Sequence, residues 1–409
     1  MNPTLTLTYF LVGALLTNVL LKLWLNARQV RHVAQHRGEV PAAFARQISL
    51  SDHQKAADYT LAKAKVSQFD ILLDAGVLVA WTLLGGLSAL NHFILELMAP
   101  GLGQQVVLVL SFTLISGLIG LPLSLYQTFV LEQKFGFNKM TWKLWLSDSA
   151  KGLILGLVLG VPLIAMVLWL MQAGGVYWWF WTWCALVVWQ LLLMAIAPNL
   201  IMPLFNKFTP LEDEALKARV NSLMQRAGFT AKGFFVMDGS KRSAHSNAFF
   251  TGFGASKRVV FFDTLLKQLT PSEMEAVLAH ELGHFKHRHI FKMMVTSFLF
   301  SLLGLALLGF AAQHLAVPGH RPGSFFVDDA GHRAGARRRF RVFVCAGIAA
   351  PGRFGGRVCG HTALGLCQSL LCAAGDSRRG GLVDGAGAQK PAGGAGGVQP
   401  SNAFADARD

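Results

Sequence analysis

Six stretches of this chain are apolar over the roughly 20 residues needed to cross a bilayer as a helix, at 5–25, 71–90, 106–126, 152–171, 176–196 and 293–312. A backbone in hydrocarbon must satisfy its own hydrogen bonds, so runs of this length restrict the chain to a bundle of membrane helices. The composition agrees: 53% of the 409 residues are hydrophobic and 14% charged, and the mean hydropathy is positive at +0.44. The first run has no basic residues ahead of it and exceeds the apolar core of a signal peptide, so it reads as a retained span. Charges inside the runs are few, which gives a transporter reading little support.

The formal charge of +15 could suggest nucleic acid, but its distribution argues for a membrane and against that partner. Arg28, Arg31, Arg37 and Lys55 follow the first run, Lys134, Lys139 and Lys143 the third, and Lys207, Lys241, Arg242 and Lys286 the fifth. The connections 91–105 and 172–175 contain neither Lys nor Arg. By the positive-inside rule the amino terminus faces outward and residues 198–290 lie in the cytoplasm. Cys184, the only cysteine before residue 317, lies within a run and reads as a small apolar packing residue.

The region 198–289 alone has the patterning of a water-soluble domain. Residues 211–227 carry Glu212, Asp213 and Glu214 early, Lys217, Arg219 and Arg226 late, and Gly228 as a stop, which bounds a helix. Short strands are expected at 233–237, 247–253 and 258–262. Thr270-Pro271-Ser272-Glu273 is then a capping box with proline at the first helical position. Met274, Val277, Leu278, Leu282 and Phe285 recur every three or four residues, so the helix buries that face and presents His280 and His284 together on another.

The sequence of that second face is His280-Glu281-Leu282-Gly283-His284. Two histidines four apart on a helix lie one turn apart, and both imidazoles can reach one Zn2+ ion. Glu281 is placed to act on water as general base and then to pass the proton to a leaving amine. The third metal ligand is unknown. His287 and His289 read as basic residues at the membrane interface, and His245 as a structural loop histidine with no visible partner.

From residue 317 the character changes. The segment 317–409 holds nearly half of the glycines, four of the five cysteines and a single lysine, without helical or strand period. It is expected to be out of frame, since Gly, Ala, Arg and Pro share GC-rich codons, or else a disordered basic tail. Three units follow: a five-span membrane domain (1–197), a zinc metallopeptidase domain with the sixth span (198–316), and the tail (317–409).

Between about residues 26 and 313 the chain resembles the type I CAAX prenyl protease family of zinc-dependent membrane endopeptidases. The carriers are His53-Gln54-Lys55-Ala56-Ala57-Asp58-Tyr59, Glu132-Gln133-Lys134-Phe135-Gly136-Phe137-Asn138, Pro203-Leu204-Phe205-Asn206-Lys207-Phe208, and the segment from Asp238 to Ala248 that includes Lys241-Arg242-Ser243-Ala244-His245-Ser246-Asn247. The resemblance implies a mainly α-helical, polytopic membrane protein with a small α+β zinc-peptidase domain inserted between the last two spans. It implies that His280 and His284 bind zinc, that Glu281 is the catalytic base, and that Asn247 and Ala248 lie on an edge strand where an extended substrate adds. Substrates would be peptides or proteins cleaved near the membrane, including prenylated ones that lose their last three residues. The location would be the bacterial inner membrane or the endoplasmic reticulum, with the site on the cytoplasmic side. The family takes its third zinc ligand from a later glutamate, whereas Glu281 is the last glutamate here. Two competing readings follow: a catalytically impaired membrane scaffold, and a membrane quality-control zinc protease.

Overall fold

The computed structural model describes residues 3–229, 233–251 and 258–314. The expectations for the tail 317–409, and for residues 252–253 of the second strand, fall outside the described residues.

Helix formation follows the apolar runs but extends well past them. α1 (Pro3–Gln35) is followed by α2 (Leu50–Thr82), whose entry is fixed by Ser49 accepting from Asp52 N, and by α3 (Gly86–Leu97). The expected single span at 71–90 is therefore corrected to a broken one, because the axis bends by 53° between α2 and α3. The cause lies in Gly85-Gly86. Gly85 has φ +81, a left-handed conformation that side chains with a Cβ disfavour, and a Cβ on Gly86 would come within 2.8 Å of Ala80 O.

α4 (Leu102–Tyr126) runs on into a π-helical segment, Gln127–Glu132. α5 (Trp142–Ala173) is capped by Thr141, and α6 (Trp178–Ile196) continues through a second π segment, Ala197–Ile201, into α7 (Met202–Phe205). With α11 (His289–His314), the described residues hold five helices long and apolar enough to span a membrane, or six if the bent pair counts as one. Large apolar side chains on these helices, such as Trp24, Leu157 and Leu303, are exposed, as lipid-facing residues must be.

The two Lys- and Arg-free connections meet at one end of the bundle, where Gln172 Nε2 donates to Gln105 Oε1 at 2.9 Å. Gln313 at the close of α11 reaches the same end, donating to Val176 O at 2.8 Å. The basic ends of the first, third and fifth runs gather at the other end, beside the α+β body. The alternation read from charge is thus also an alternation in space.

The α+β body opens with β1 (Phe208–Pro210) and α8 (Glu214–Arg226), followed by β2 (Gly233–Met237), β3 (Ala248–Thr251), β4 (Arg258–Phe262), α9 (Asp263–Gln268) and α10 (Pro271–Lys286). α8 starts at Glu214 behind its Asp213 cap, three residues later than the charge pattern implied, and ends before Gly228 in the left-handed conformation (φ +76). The sheet order is β1-β2-β4-β3, with β2 and β4 parallel and both outer strands antiparallel to their neighbours. β1 escapes the sequence reading because three residues ending in proline carry no period. Its register, Phe208 opposite Met237, comes from the partner strand.

The core of this body joins α8, the sheet and α10 through Leu216, Val220, Met224, Val259, Phe261, Met274, Leu278 and Leu282. Each of the last three is at most 5% exposed, and burying such a side chain contributes about 1.5–3 kcal/mol. α10 begins at the expected capping box: Thr270 N and Oγ1 both donate to Glu273 Oε2 at 2.8 Å, and Glu273 N returns to Thr270 Oγ1 at 3.4 Å. Thr270→Ala should lower the stability of the body by about 0.5–2 kcal/mol. Thermal unfolding of the variant checks this, and an unchanged midpoint would contradict it.

Candidate metal centre and substrate edge

The face of α10 opposite its buried stripe carries His280 and His284, both exposed, with Glu281 half-buried between them. The two Nε2 atoms face one another at 3.2 Å. Two nitrogens bound to one tetrahedral zinc at 2.0–2.1 Å stand about 3.3 Å apart. The pair therefore has the span of a two-histidine zinc grip, and the two imidazoles fit two of the ion's ligand positions. Among the described residues, no group of three or more His, Cys, Asp or Glu side chains is placed to hold a metal.

The chain turns sharply after α10. Arg288 adopts φ 53, an uncommon conformation for a residue with a side chain, and the turn brings the first residue of α11 back toward the metal helix. His289 Nδ1 lies 3.0 Å from His284 Nδ1, and the His287 ring stacks on His289 at 5.6 Å. His289 thus engages the ring nitrogen of His284 that points away from His280. Outer partners of this kind orient metal-ligating imidazoles, a role that the interfacial reading of His287 and His289 did not include.

The strand nearest the metal helix is β3. It lies at the sheet edge, paired on one side with β4 through Ala248 opposite Phe261, and Ala248 shares the buried core with Met274, Leu278 and Leu282 of α10. Asn247 directly precedes the strand: its carbonyl accepts from Phe262 N at 3.0 Å and its Oδ1 from Ala248 N at 2.9 Å. The structure therefore brings Asn247 and Ala248 onto an edge beside the helix that bears His280, Glu281 and His284.

Below the sheet the four sequence segments that carried the resemblance converge. Arg242 places Nε and Nη2 on the two carboxylate oxygens of Asp148 in α5, at 2.8 and 3.1 Å, donates from Nη1 to Asn206 Oδ1 at 2.9 Å, and donates to Phe205 O at 2.6 Å. Both charged side chains are largely buried, 12% and 8% exposed. Asn138 forms an antiparallel bridge with Ser243, and Lys139 N donates to Arg242 O. Tyr59 OH donates to Glu132 Oε1 at 2.7 Å. His245, read without a partner, lies 3.5 Å from Glu132 Oε2 and stacks flat on Phe137.

A multi-span helical membrane protein whose α+β body presents a His-Glu-x-x-His helix beside a sheet edge is the class that these features define. Residues 29–207 match the model of the CAAX prenyl protease N-terminal domain, described as five membrane helices, and residues 210–336 match peptidase family M48. CAAX prenyl protease 1 of Saccharomyces cerevisiae is 37% identical over 295 residues, covering 69% of this chain and 65% of that protein. The Arabidopsis thaliana CAAX prenyl protease 1 homolog is 36% identical over 287 residues, 68% and 67% of the two chains. The crystal structure of S. mikatae Ste24p superposes with a TM-score of 0.68 at 35% identity, over 77% of this chain and 73% of that one. The chain belongs to the CAAX prenyl protease family, and it spans about two thirds of the length of the curated relatives it matches.

Proposed function

We propose that this chain is a zinc-dependent membrane endopeptidase that cleaves peptide bonds near the cytoplasmic face of its membrane, prenylated proteins ending in a CAAX sequence being among its substrates. The observation that carries the reading is the pair of imidazole nitrogens 3.2 Å apart on α10, with Glu281 on the same helix and, among the described residues, the unpaired outer edge of β3 beside it. The substrate class is supported by the relatives, which are named CAAX prenyl proteases. The units 1–197 and 198–316 would divide the work between membrane housing and chemistry.

Zn2+, when bound, supplies a Lewis acid that polarises the scissile carbonyl and makes water acidic enough to lose a proton near neutral pH. His280 and His284 would hold the ion, and His289, whose Nδ1 lies 3.0 Å from His284 Nδ1, would orient the His284 ring. Glu281 accepts the proton from water and then delivers it to the leaving amine. The outer edge of β3, entered at Asn247 and Ala248, pairs with the substrate backbone, fixing it extended beside the metal.

The competing reading is a membrane scaffold that holds no zinc, favoured by the lack, among the described residues, of a third His, Cys, Asp or Glu side chain placed with His280 and His284. Cleavage of a farnesylated CAAX peptide by the purified protein, abolished by a chelator and restored by zinc, is expected of the enzyme. Equal signal with and without chelator would contradict it. The cytoplasmic orientation rests on the Lys and Arg asymmetry: a reporter inserted at Lys232 should be shielded in intact cells, and labelling from outside would reverse the topology.

A further inference from the structure

The junction beneath the sheet contains a buried carboxylate that the proposed chemistry does not use. Glu132 closes the π segment at the end of the third run, and its side chain is 15% exposed. One carboxylate oxygen accepts from Tyr59 OH of α2 at 2.7 Å. The other faces His245 Nε2 at 3.5 Å, and these two atoms are both buried with no closer hydrogen-bond partner among the described residues. Phe137 backs the imidazole at 4.2 Å between ring centres and 12° between planes, and the Tyr59 ring lies 4.8 Å from Phe137. Lys63, one turn from Tyr59, has its ammonium 5.0 Å from the Tyr59 ring centre.

Two residues, Ser246 and Asn247, separate His245 from the first residue of β3. The backbone on both sides of the histidine is fixed to different elements: Ala244 N donates to Phe137 O at 2.9 Å, and Thr264 Oγ1 of α9 donates to His245 O at 2.9 Å. A π segment adds a residue to a helical turn and redirects the side chains after it, and such segments concentrate at functional sites. Here it aims Glu132 at the loop that leads into the edge strand. An apolar pair would fill this position without the desolvation that a buried carboxylate incurs, and buried charged groups are best attested where they specify register.

We infer that Glu132, Tyr59 and His245 form a bracket that holds the start of β3 in the register at which an extended peptide can add to its outer edge. They are positioning residues for substrate, acting through Asn247 and Ala248, and the inference rests on β3 being the substrate strand. The bracket ties the site to two membrane helices, so the height of the substrate edge is set from the bundle rather than from the α+β body alone.

The test uses the full chain carrying Glu281→Gln, which should bind peptide without cleaving it. Binding of a fluorescein-labelled S-farnesyl peptide ending in a C-a-a-X sequence is followed by anisotropy, together with hydrogen exchange at residues 248–251. Adding Glu132→Ala should raise the dissociation constant at least tenfold and quicken exchange in β3, with zinc content and α10 exchange unchanged. Tyr59→Phe, which removes one hydroxyl and should leave folding intact, is expected to weaken binding severalfold. Glu132→Gln, which still accepts from Tyr59, should recover part of the loss. If the Glu281→Gln parent binds no peptide, the substrate-strand reading fails and the inference falls with it. If the parent binds, and Glu132→Ala and Tyr59→Phe bind as tightly with unaltered β3 exchange, the inference alone is overturned.

Discussion

Glu281→Gln should lower kcat/KM for a farnesylated peptide by about 10²–10⁴-fold, the range in which a positioned general base contributes, while the protein still binds zinc. Glutamine preserves the size and polarity of the side chain, so the packing of Leu278 and Leu282 on the far side of α10 is undisturbed. What disappears is the basic oxygen that, in the proposed mechanism, removes the proton from water. His280 and His284 are untouched and their 3.2 Å spacing remains available to the metal. Comparing the activity of the variant with its zinc content separates loss of the base from loss of the ion. Full activity in Glu281→Gln would remove this residue from the chemistry.

Arg242→Ala is expected to produce the largest loss of stability, about 3–5 kcal/mol, because it leaves Asp148 buried without its partner. The guanidinium also bonds Asn206 Oδ1 and Phe205 O, so the same change frees the end of α7. Asp148→Ala should be comparably damaging for the converse reason. Arg242→Lys keeps the charge but loses the planar fork, and should fall between wild type and Arg242→Ala. Replacing both residues by apolar ones of similar size should cost less than either single truncation, since no charge is left stranded. Thermal unfolding in one detergent checks the series, and single variants as stable as wild type would show that the junction does not hold the body to the bundle.

The candidate site was legible in the sequence where it is local. His280 and His284 fall four residues apart, and the cap that starts their helix lies in the preceding turns, so periodicity alone placed the two imidazoles on a shared face. β2 and β4 were legible because their runs of Phe and Val are bounded by polar residues. The break in the second span had a visible signal in Gly85-Gly86, but the apolar run on either side outweighs it. The junction was not legible at all as physics. Arg242 and Asp148 lie 94 residues apart, and Tyr59 and Glu132 are separated by 73. Nothing in either neighbourhood indicates the partner. The resemblance singled out the segments of Tyr59, Glu132 and Arg242 by their residues, though not that of Asp148, and the structure supplies the contacts that join them. His245 shows the same limit, since its partner Glu132 comes from a π segment just past the third apolar run, which carries no period that the sequence reveals.

Stoichiometric metal analysis of the purified full-length chain bears most directly on the proposed metal centre. The account predicts about one zinc per chain, lost on treatment with a chelator and absent from the His280→Ala and His284→Ala variants. Purified wild-type protein without zinc, or variants that retain it, would contradict the account.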